Sequence, residues 1–443
     1  MSVINVNKFI DDSKFTRFHL IIFTLFLSII SFDGFDMVIY GATMPVLMKN
    51  FGINAAQAGV LASYALFGAA VGALTFGLLA DRIGRKKVII ICALLFSLAT
   101  SATGLTNSSS MFGVLRFLTG LGLGGVMPNV VALTTEYAPR KNRAIVVAAI
   151  FSGMQIGGIL ASAISMWLLP HYGWRVIYFL GGIPLLLMPA FFKYLPESTL
   201  HLIKENRAGE LKVILQNIQK DMVLPDDVTF DINKGTGKSP IAALFTENRA
   251  LSTVLIWVVF FMNMYMIFGL GTWLPKLMMS AGFGLGSGLL FLLTLNLGAL
   301  LGSNIAGLVA DRIGYKVTLV VLYLIAFVAI MLMSISSSFA VQIALVALAG
   351  IGFYGGQNVL NAYVGLFYPP IMRSTAMGFA FGTGRFGAIF GPVIAGIIMS
   401  MKMPLFVNFM ALAVPGLIAA VAILIVQDKH SFLQKSKSKQ ETM

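Results

Sequence analysis

The sequence predicts an all-α polytopic membrane protein with twelve transmembrane helices in two pseudo-symmetric six-helix bundles. The first observation behind this prediction is composition. Of the 443 residues, 58% are hydrophobic and 11% are charged, whereas a soluble domain carries about 25% charged residues. The second is that the apolar residues form twelve runs of membrane-spanning length. The third is an internal repeat that relates the two halves of the chain.

The twelve runs can be placed along the chain because a transmembrane helix needs about 20 mostly apolar residues. Runs of this kind lie at 19–47, 56–79, 88–106, 111–136, 144–169, 175–195, 251–275, 286–309, 317–336, 339–367, 374–400 and 404–427. We therefore divide the chain into a cytoplasmic tail, a first bundle, a cytoplasmic linker, a second bundle and a second cytoplasmic tail, at 1–18, 19–195, 196–250, 251–427 and 428–443.

The basic residues predict the orientation. With both termini in the cytoplasm, 25 of the 31 Lys and Arg lie on the cytoplasmic side of the membrane, which is the bias of the positive-inside rule. We therefore expect a multi-pass protein of the inner or plasma membrane with both termini cytoplasmic. The net charge of +14 does not indicate a nucleic-acid partner, because the basic residues form no folded basic domain.

The internal repeat is visible in the letters of the sequence. "GAAVGALTFGLLADRIGRKK" at 68–87 matches "GALLGSNIAGLVADRIGYKV" at 298–317 at eleven of twenty positions, and the offset is 230 residues. The same offset relates "GLG" at 120–122 to "GIG" at 350–352. Parallel repeats of this kind are typical of one large class of secondary transporters, in which the substrate binds near the bilayer midplane.

The doubled loop "GLLADRIGRKK" and "GLVADRIGYK" resembles the signature loop of the major facilitator superfamily. The resemblance implies two bundles that rock around a central cavity, with the loop aspartate locking the cytoplasmic gate through charge contacts. It implies gating roles for Asp81, Arg82, Arg85, Asp311 and Arg312. The alternative is that these residues only anchor the topology.

The most unusual stretch is "SFDGFDMVIYG", which places Asp33 and Asp36 in the middle of the first span. Ionised carboxylates at that depth cost several kcal/mol or more. The two acids and Tyr40 share one helix face. Burial and a second nearby carboxyl both favour the protonated form, so the pair is a candidate proton-coupling site. The alternative is a pair neutralised by a permanent partner such as an arginine.

The "DGFD" motif also resembles the aromatic acid:proton symporter family within the superfamily, as do "VIYG..MPVLMK" after it and "GRFGAIFGP" in span eleven. The resemblance is to benzoate and hydroxybenzoate permeases. Arg385 lies at mid-depth in span eleven and cannot lose its charge. It could bind an aromatic carboxylate in a bidentate fork. A structural ion pair with Asp33 or Asp36 is the alternative.

Span four contributes two charged candidates. Arg116 opens "RFLTGLGLGGVMPN", whose spacing resembles the superfamily motif tied to proton coupling, so we assign it to coupling with the two aspartates. Snorkelling of its side chain to water is the alternative. Glu136 lies near the inner end of the same span. We expect it to form a gate or loop ion pair with Arg140 or Arg143.

Span ten contains the polar stretch "GFYGGQNVLNAY" near its middle. Its amides could donate hydrogen bonds to a carboxylate or ring hydroxyl, and its tyrosine could stack on an aromatic ring. Together with Tyr40 and Arg385, the candidate substrate-binding residues are Tyr354, Gln357, Asn358 and Asn361.

Several classes of function are disfavoured by what the sequence lacks. It has one cysteine, Cys92, and no metal-ligand cluster, phosphate-cradling loop or nucleophile–base pair. We expect no cofactor, no metal and no enzymatic activity. We predict a monomeric, proton-coupled importer of a benzoate-type or hydroxybenzoate-type acid that works by alternating access. Alternatives are a carrier of muconate, shikimate or nicotinate, a proton antiporter that exports small organic compounds, and a non-transporting membrane sensor.

Overall fold

The computed structural model describes residues 2–219, 228–231 and 241–432. The α-helices α1 to α16 in these ranges are Val6–Asp11, Arg17–Phe51, Ala55–Ile83, Arg85–Thr103, Ser109–Tyr137, Arg143–Tyr172, Trp174–Leu180, Pro184–Tyr194, Thr199–Lys204, Ala208–Ile218, Ala250–Ser280, Leu285–Ile313, Tyr315–Met333, Phe339–Phe367, Arg373–Ser400 and Leu405–Ile425. Short 3-10 helices occupy Ile241–Phe245, Pro370–Met372 and Asp428–His430. Strands β1 (Ser2–Asn5) and β2 (Val228–Asp231) form a parallel pair.

The described part of the chain contains twelve helical segments that are long and apolar enough to cross a membrane, which confirms the predicted number. The sixth is Trp174–Tyr194 and consists of α7 followed by α8. The helix is interrupted at Gly181 and Gly182 and resumes with Pro184 at its first position. This sequence favours an interruption because glycine is a poor helix former and proline lacks the amide hydrogen for a continuous helix.

The repeat in the sequence is also a repeat in the structure. Helices α12, α13 and α14 begin and end 230 residues after α3, α4 and α5, without a one-residue deviation at any of the six bounds. Gly84 and Gly314 occupy the same turn in the two copies, with φ of 98° and 96°. Glycine is required there because a Cβ is strongly disfavoured at positive φ.

Helix packing follows the same offset. A Cβ on Gly120 of α5 would lie 1.9 Å from the carbonyl oxygen of Ala65 in α3, and a Cβ on Gly350 of α14 would lie 2.4 Å from that of Leu295 in α12. Such distances mean that the backbones of the two helices touch, as small residues permit in membrane helix pairs. The two halves are therefore built on one packing plan.

The contacts divide the chain into two compact units: Met1–Met37, Tyr64–Leu160 and His171–Gly235 form one, and Val38–Ser63, Ala161–Pro170 and Thr236–Met443 form the other. In the second unit, Ser63 donates a hydrogen bond to the carbonyl oxygen of Ile389 at 3.0 Å. The predicted division of the chain into sequential bundles, linker and tails stays a prediction.

The first unit also contains a folded part of the tail and linker. Val6 and Ile10 of α1 are buried in the same hydrophobic core as Leu211 and Leu215 of α10. Arg143 forms an ion pair with Asp11, the last residue of α1, and the amide of Arg140 donates to the carbonyl oxygen of Asp11 at 3.2 Å. The N-terminal segment is thus held against the linker and the segment that precedes α6.

Candidate functional site

An ion pair between Asp36 of α2 and Arg116 of α5 lies inside the first unit. Nη1 of Arg116 donates to Oδ1 and Oδ2 of Asp36 at 2.7 and 2.8 Å. The Asp36 side chain is 4% exposed and the Arg116 side chain is 3% exposed. Removing two charges from water costs several kcal/mol per ion, and their mutual attraction repays this cost only where the geometry and the remaining hydrogen bonds are excellent. The pair is therefore an expensive feature that needs a reason.

Two threonines extend this pair into a polar cluster. Thr100 of α4 donates from Oγ1 to Oδ1 of Asp36 at 3.3 Å, and its oxygen lies 3.2 Å from Oγ1 of Thr119 in α5. Because the single hydroxyl hydrogen of Thr100 points to the carboxylate, Thr119 is the donor in the second contact. We call Asp36, Arg116, Thr100 and Thr119 the polar cluster.

Close helix packing holds the cluster in place. Gly34, two residues before Asp36, lies against the backbone of Met154 in α6, where a Cβ would be 2.0 Å from the carbonyl oxygen. A Cβ on Gly181 would lie 2.3 Å from Cγ2 of Thr100. The interruption of the sixth span therefore leaves room for the methyl group of Thr100, whose hydroxyl points to Asp36.

The second half of the chain lacks the cluster entirely. At an offset of 230 residues, the four positions of the polar cluster are occupied by Met266, Val346, Ile330 and Ala349. All four of these side chains are buried. The second half thus has the same helix packing with apolar residues at all four equivalent positions, so the fold does not require the charges of the first half.

The structure excludes one alternative for this region and adds two residues that the sequence analysis missed. Arg116 does not snorkel to water, because its side chain is buried and pairs with Asp36. Thr100 and Thr119 were not recognised as candidates from the sequence, because isolated threonines in apolar runs usually bond to their own helix. Asp33 is also buried, at 7% exposure. The proton-coupling role of Asp33, Asp36 and Arg116 stays a prediction.

Arg385 and Tyr40 both lie in the second unit. Arg385 is half-buried in α15. The Tyr40 side chain is buried, and its hydroxyl donates to the carbonyl oxygen of Ala58 in α3 at 2.6 Å. This contact gives Tyr40 a role in joining α2 to α3. Substrate contact by either residue stays a prediction.

The candidates of α14 divide into two groups. Gln357 accepts a hydrogen bond from Asn263 of α11 at 2.7 Å and donates one to Asn361 at 2.8 Å. Asn358 is exposed and donates to the carbonyl oxygen of Ser303 in α12 at 3.1 Å. Tyr354 is half-buried one turn earlier. The structure therefore joins Gln357 and Asn361 through Asn263 and directs Asn358 to another helix.

Glu136 has a different partner from the expected one. It forms an ion pair with Arg85 at the start of α4 rather than with Arg140 or Arg143. It also accepts hydrogen bonds from Oγ of Ser198 at 3.2 Å and from the amide of Thr199 at 3.1 Å. The expectation of Arg140 or Arg143 was wrong because it considered only residues close in sequence.

The neighbouring Glu197 was not recognised from the sequence as part of this region. Its Oε1 accepts from the amide of Lys86 at 3.1 Å and from that of Ser198 at 2.8 Å. Its carboxylate lies against Gly84, where a Cβ would be 2.3 Å from Oε2. The signal available in the sequence was an acid directly after the sixth span.

The remaining gating candidates lie at the ends of α3 and α12. Asp81, Arg82, Asp311 and Arg312 are exposed. Asp311 accepts a hydrogen bond from the Tyr315 hydroxyl at 2.6 Å. Among the residues that the structure describes, no ion pair involves these four, and no cluster of three or more His, Cys, Asp or Glu is arranged to hold a metal. Their gating roles stay predictions.

A known protein family and several curated proteins resemble this chain along most of its length. Residues 25–356 and 294–442 match the family described as the Major Facilitator Superfamily. The chain is 40% identical to a benzoate transport protein of Acinetobacter baylyi over 97% of this chain and 94% of the relative. It is 33% identical to a gallate transporter of Pseudomonas putida over 95% and 94% of the two chains. A 4-hydroxybenzoate transporter of Acinetobacter baylyi is 32% identical, over 96% and 94%.

Solved structures support the fold. The xylose transporter XylE of Escherichia coli, in a partially occluded inward-open conformation, superimposes with a TM-score of 0.72 at 15% identity, over 92% of this chain and 99% of that chain. A bacterial homologue of the human lysosomal transporter Spinster gives 0.70 at 16% identity, over 96% and 99%. The predicted fold class is thereby confirmed. The family match and the relatives named as transporters bear out the prediction that this chain is not an enzyme.

Proposed function

We propose that this multi-pass membrane protein, which belongs to the major facilitator superfamily, imports a small aromatic carboxylate together with protons. The observation that carries the proposal is the polar cluster around Asp36 and Arg116. Its charges are costly to bury, and the equivalent positions of the second half are apolar. A feature that the fold does not need and that costs free energy is best explained by function.

The coupling role follows from the chemistry of the cluster. In the conformation described here Asp36 is neutralised by Arg116. When that pair separates, the buried carboxylate loses its counter-ion, and protonation becomes the cheapest way to remain inside the membrane. Asp33 lies one turn away, also buried, and is the second candidate to hold the proton. Arg116 thus acts as the group whose position decides whether the acids are charged.

The substrate class is supported by the relatives and by the cationic residues. Proteins that resemble this chain along its whole length are named for benzoate, gallate and 4-hydroxybenzoate. We assign the substrate carboxylate to Arg385, whose planar guanidinium matches a carboxylate, and the aromatic ring to Tyr40 and Tyr354. Gln357, Asn358 and Asn361 are the candidate amide contacts. Tyr40 is the weakest of these, because its hydroxyl is already bonded to Ala58.

Proton coupling also makes energetic sense for this cargo. A benzoate-type acid is an anion at neutral pH. Its entry against an inside-negative potential costs about 2.3 kcal/mol per 100 mV. One accompanying proton cancels this cost, and each further proton adds driving force. An importer of such an anion therefore needs a titratable group within the membrane.

Alternating access requires gates that open and close. We propose that Arg85 and Glu136 form part of the cytoplasmic gate, since their ion pair joins the start of α4 to the end of α5 and to the start of the linker. Asp81, Arg82, Asp311 and Arg312 form charge contacts in the state that closes this side. With both termini cytoplasmic, these residues lie on the inner face of the cell membrane.

The test is uptake by the purified protein in proteoliposomes. A proton gradient, acidic outside, should drive accumulation of radiolabelled benzoate or 4-hydroxybenzoate, and a protonophore should abolish it. Counterflow of labelled substrate without a gradient should persist, because exchange needs no net driving force.

The alternatives have different outcomes in the same vesicles. An exporting antiporter would accumulate substrate only when the gradient is reversed. A carrier of another organic acid would accumulate muconate, shikimate or nicotinate but neither benzoate nor 4-hydroxybenzoate. A sensor would show no counterflow of any acid in the panel, and that result would contradict the proposal.

A further inference from the structure

Three amide side chains form a hydrogen-bonded chain between α11 and α14 in the second unit. Nδ2 of Asn263 donates to Oε1 of Gln357 at 2.7 Å, and Nε2 of Gln357 donates to Oδ1 of Asn361 at 2.8 Å. Asn263 is fully buried, Gln357 is 9% exposed and Asn361 is half-buried. We call these three residues the amide chain. It runs from the packed interior to a partly accessible end.

The repeat shows that this polarity is not demanded by helix packing on α14. The positions equivalent to Gln357 and Asn361 in the first half are Met127 and Val131 of α5, both partly buried. The position equivalent to Asn263 is Asp33 of α2. Asn263, at which the amide chain starts, is therefore the counterpart of Asp33, a candidate coupling acid. The fold accepts apolar residues at the other two positions of the amide chain.

The amide chain contains an acceptor that the protein does not satisfy. Oδ1 of Asn263 is buried and has no hydrogen-bond partner among the described residues. An unsatisfied buried acceptor costs about 1–3 kcal/mol, and such groups in native proteins call for an explanation. The missing partner must be a donor. The carboxylate of the substrate cannot supply it, because an ionised carboxylate only accepts hydrogen bonds.

We propose that the amide chain is the subsite for a ring hydroxyl, so that the preferred substrate is a hydroxylated aromatic carboxylate rather than benzoate itself. A phenolic hydroxyl both donates and accepts, which suits a row of amides. The ring hydroxyl of the substrate enters from the side of Gln357 and Asn361 and donates a hydrogen bond to the side-chain oxygen of Asn263. This inference rests on the proposed function, and it adds the substituent that the ring carries.

The test compares efficiencies of uptake for benzoate and for 2-, 3- and 4-hydroxybenzoate in proteoliposomes. A site built to bond a hydroxyl discriminates against an analogue that lacks it, so wild-type protein should prefer one hydroxybenzoate by about ten-fold or more. Asn263→Leu removes the acceptor at similar volume and should reduce this preference to less than about three-fold. Benzoate uptake should remain within about two-fold of wild type, since benzoate makes no bond there.

The matched control is Asn296→Leu in α12. Asn296 is also buried, but its amide donates to the carbonyl oxygen of Leu292 in its own helix at 2.8 Å. This variant should keep the wild-type preference. Asn263→Met, which also removes the acceptor at similar volume, is the second test variant if Asn263→Leu does not reach the membrane.

The outcomes separate the inference from the proposed function. Equal uptake of benzoate and all three hydroxybenzoates by wild-type protein would overturn the inference and leave the proposed function intact, as would an equal loss of all four acids in both test variants. Absence of uptake of every acid, benzoate included, would instead reject the proposed function and the inference with it.

Discussion

At Asp36 and Arg116 two charged side chains lie almost completely out of contact with solvent, while the same packing positions in the second half hold Met266 and Val346. The second half of the chain therefore shows which apolar residues fit these two positions when no charge is present. Removing one member of a buried ion pair is far more harmful than replacing both with apolar residues, because the remaining charge has no partner.

This difference gives a prediction at the scale of single residues. Asp36→Met should destabilise the protein by about 3–5 kcal/mol because Arg116 keeps its buried charge. The double variant Asp36→Met with Arg116→Val should recover most of that stability, yet fail in proton-driven uptake. Thermal unfolding in detergent and uptake in proteoliposomes measure the two effects. Uptake by the double variant at the wild-type rate would remove the pair from the coupling mechanism.

Helices α3 and α5, and their repeats α12 and α14, approach each other closely at glycines. A Cβ on Gly120 would lie 1.9 Å from the carbonyl oxygen of Ala65, whereas a Cβ on Gly77 of α3 would meet no atom within 4 Å. A methyl group would therefore collide with the neighbouring backbone at Gly120 but would find open space at Gly77.

The prediction at the scale of elements uses this difference. Gly120→Ala should force α3 and α5 apart and lower the melting temperature and the membrane level of the protein, because backbone cannot yield as a flexible side chain can. Gly77→Ala should be neutral or stabilise by up to about 1 kcal/mol, since alanine is the better helix former. Fluorescence-detected size-exclusion chromatography after heating compares them. Equal melting temperatures for the two variants would show that the close approach is not needed.

Over the whole molecule the helices of the two halves follow one repeat, but the buried polar groups of the two halves differ. The first half holds the buried ion pair, and the second holds the amide chain and Arg385. We interpret this as a division of labour between proton and substrate. If substrate binding favours a state in which Asp36 and Arg116 separate, the acid that loses its counter-ion becomes less stable as an anion and takes up a proton.

This linkage is reciprocal, so the prediction at the scale of the molecule has two sides. Purified protein should take up protons when it binds 4-hydroxybenzoate, and its affinity measured at pH 8 and at pH 6 should be higher at pH 6, because a higher proton concentration favours binding that takes up protons. Proton uptake is measured in weak buffer after correction for titration of the ligand, and affinity by calorimetry. Net proton release on binding would indicate antiport. The Asp33→Asn variant tests whether Asp33 is a source of the proton-uptake signal, since the variant cannot bind a proton at that position.

The sequence by itself determined the twelve spans, the repeat and the identity of the costly charges. These follow from composition, run length and periodicity, which are properties of residues close together in the chain. It also identified Asp36, Arg116, Arg85 and Glu136 as residues that need partners. Charges placed in or near an apolar solvent are conspicuous whatever the tertiary arrangement, because the cost of leaving them unpaired is large.

Only the tertiary structure decided which partners these charged residues have. Asp36 meets Arg116 across 80 positions of sequence, and Glu136 meets Arg85 rather than the nearer arginines. The position of Thr100 depends on Gly181 in another span. Helical periodicity tells which residues share a face, but not which neighbour that face meets. That choice depends on how each helix is rotated and how closely it approaches, and these depend on packing among residues far apart in the chain.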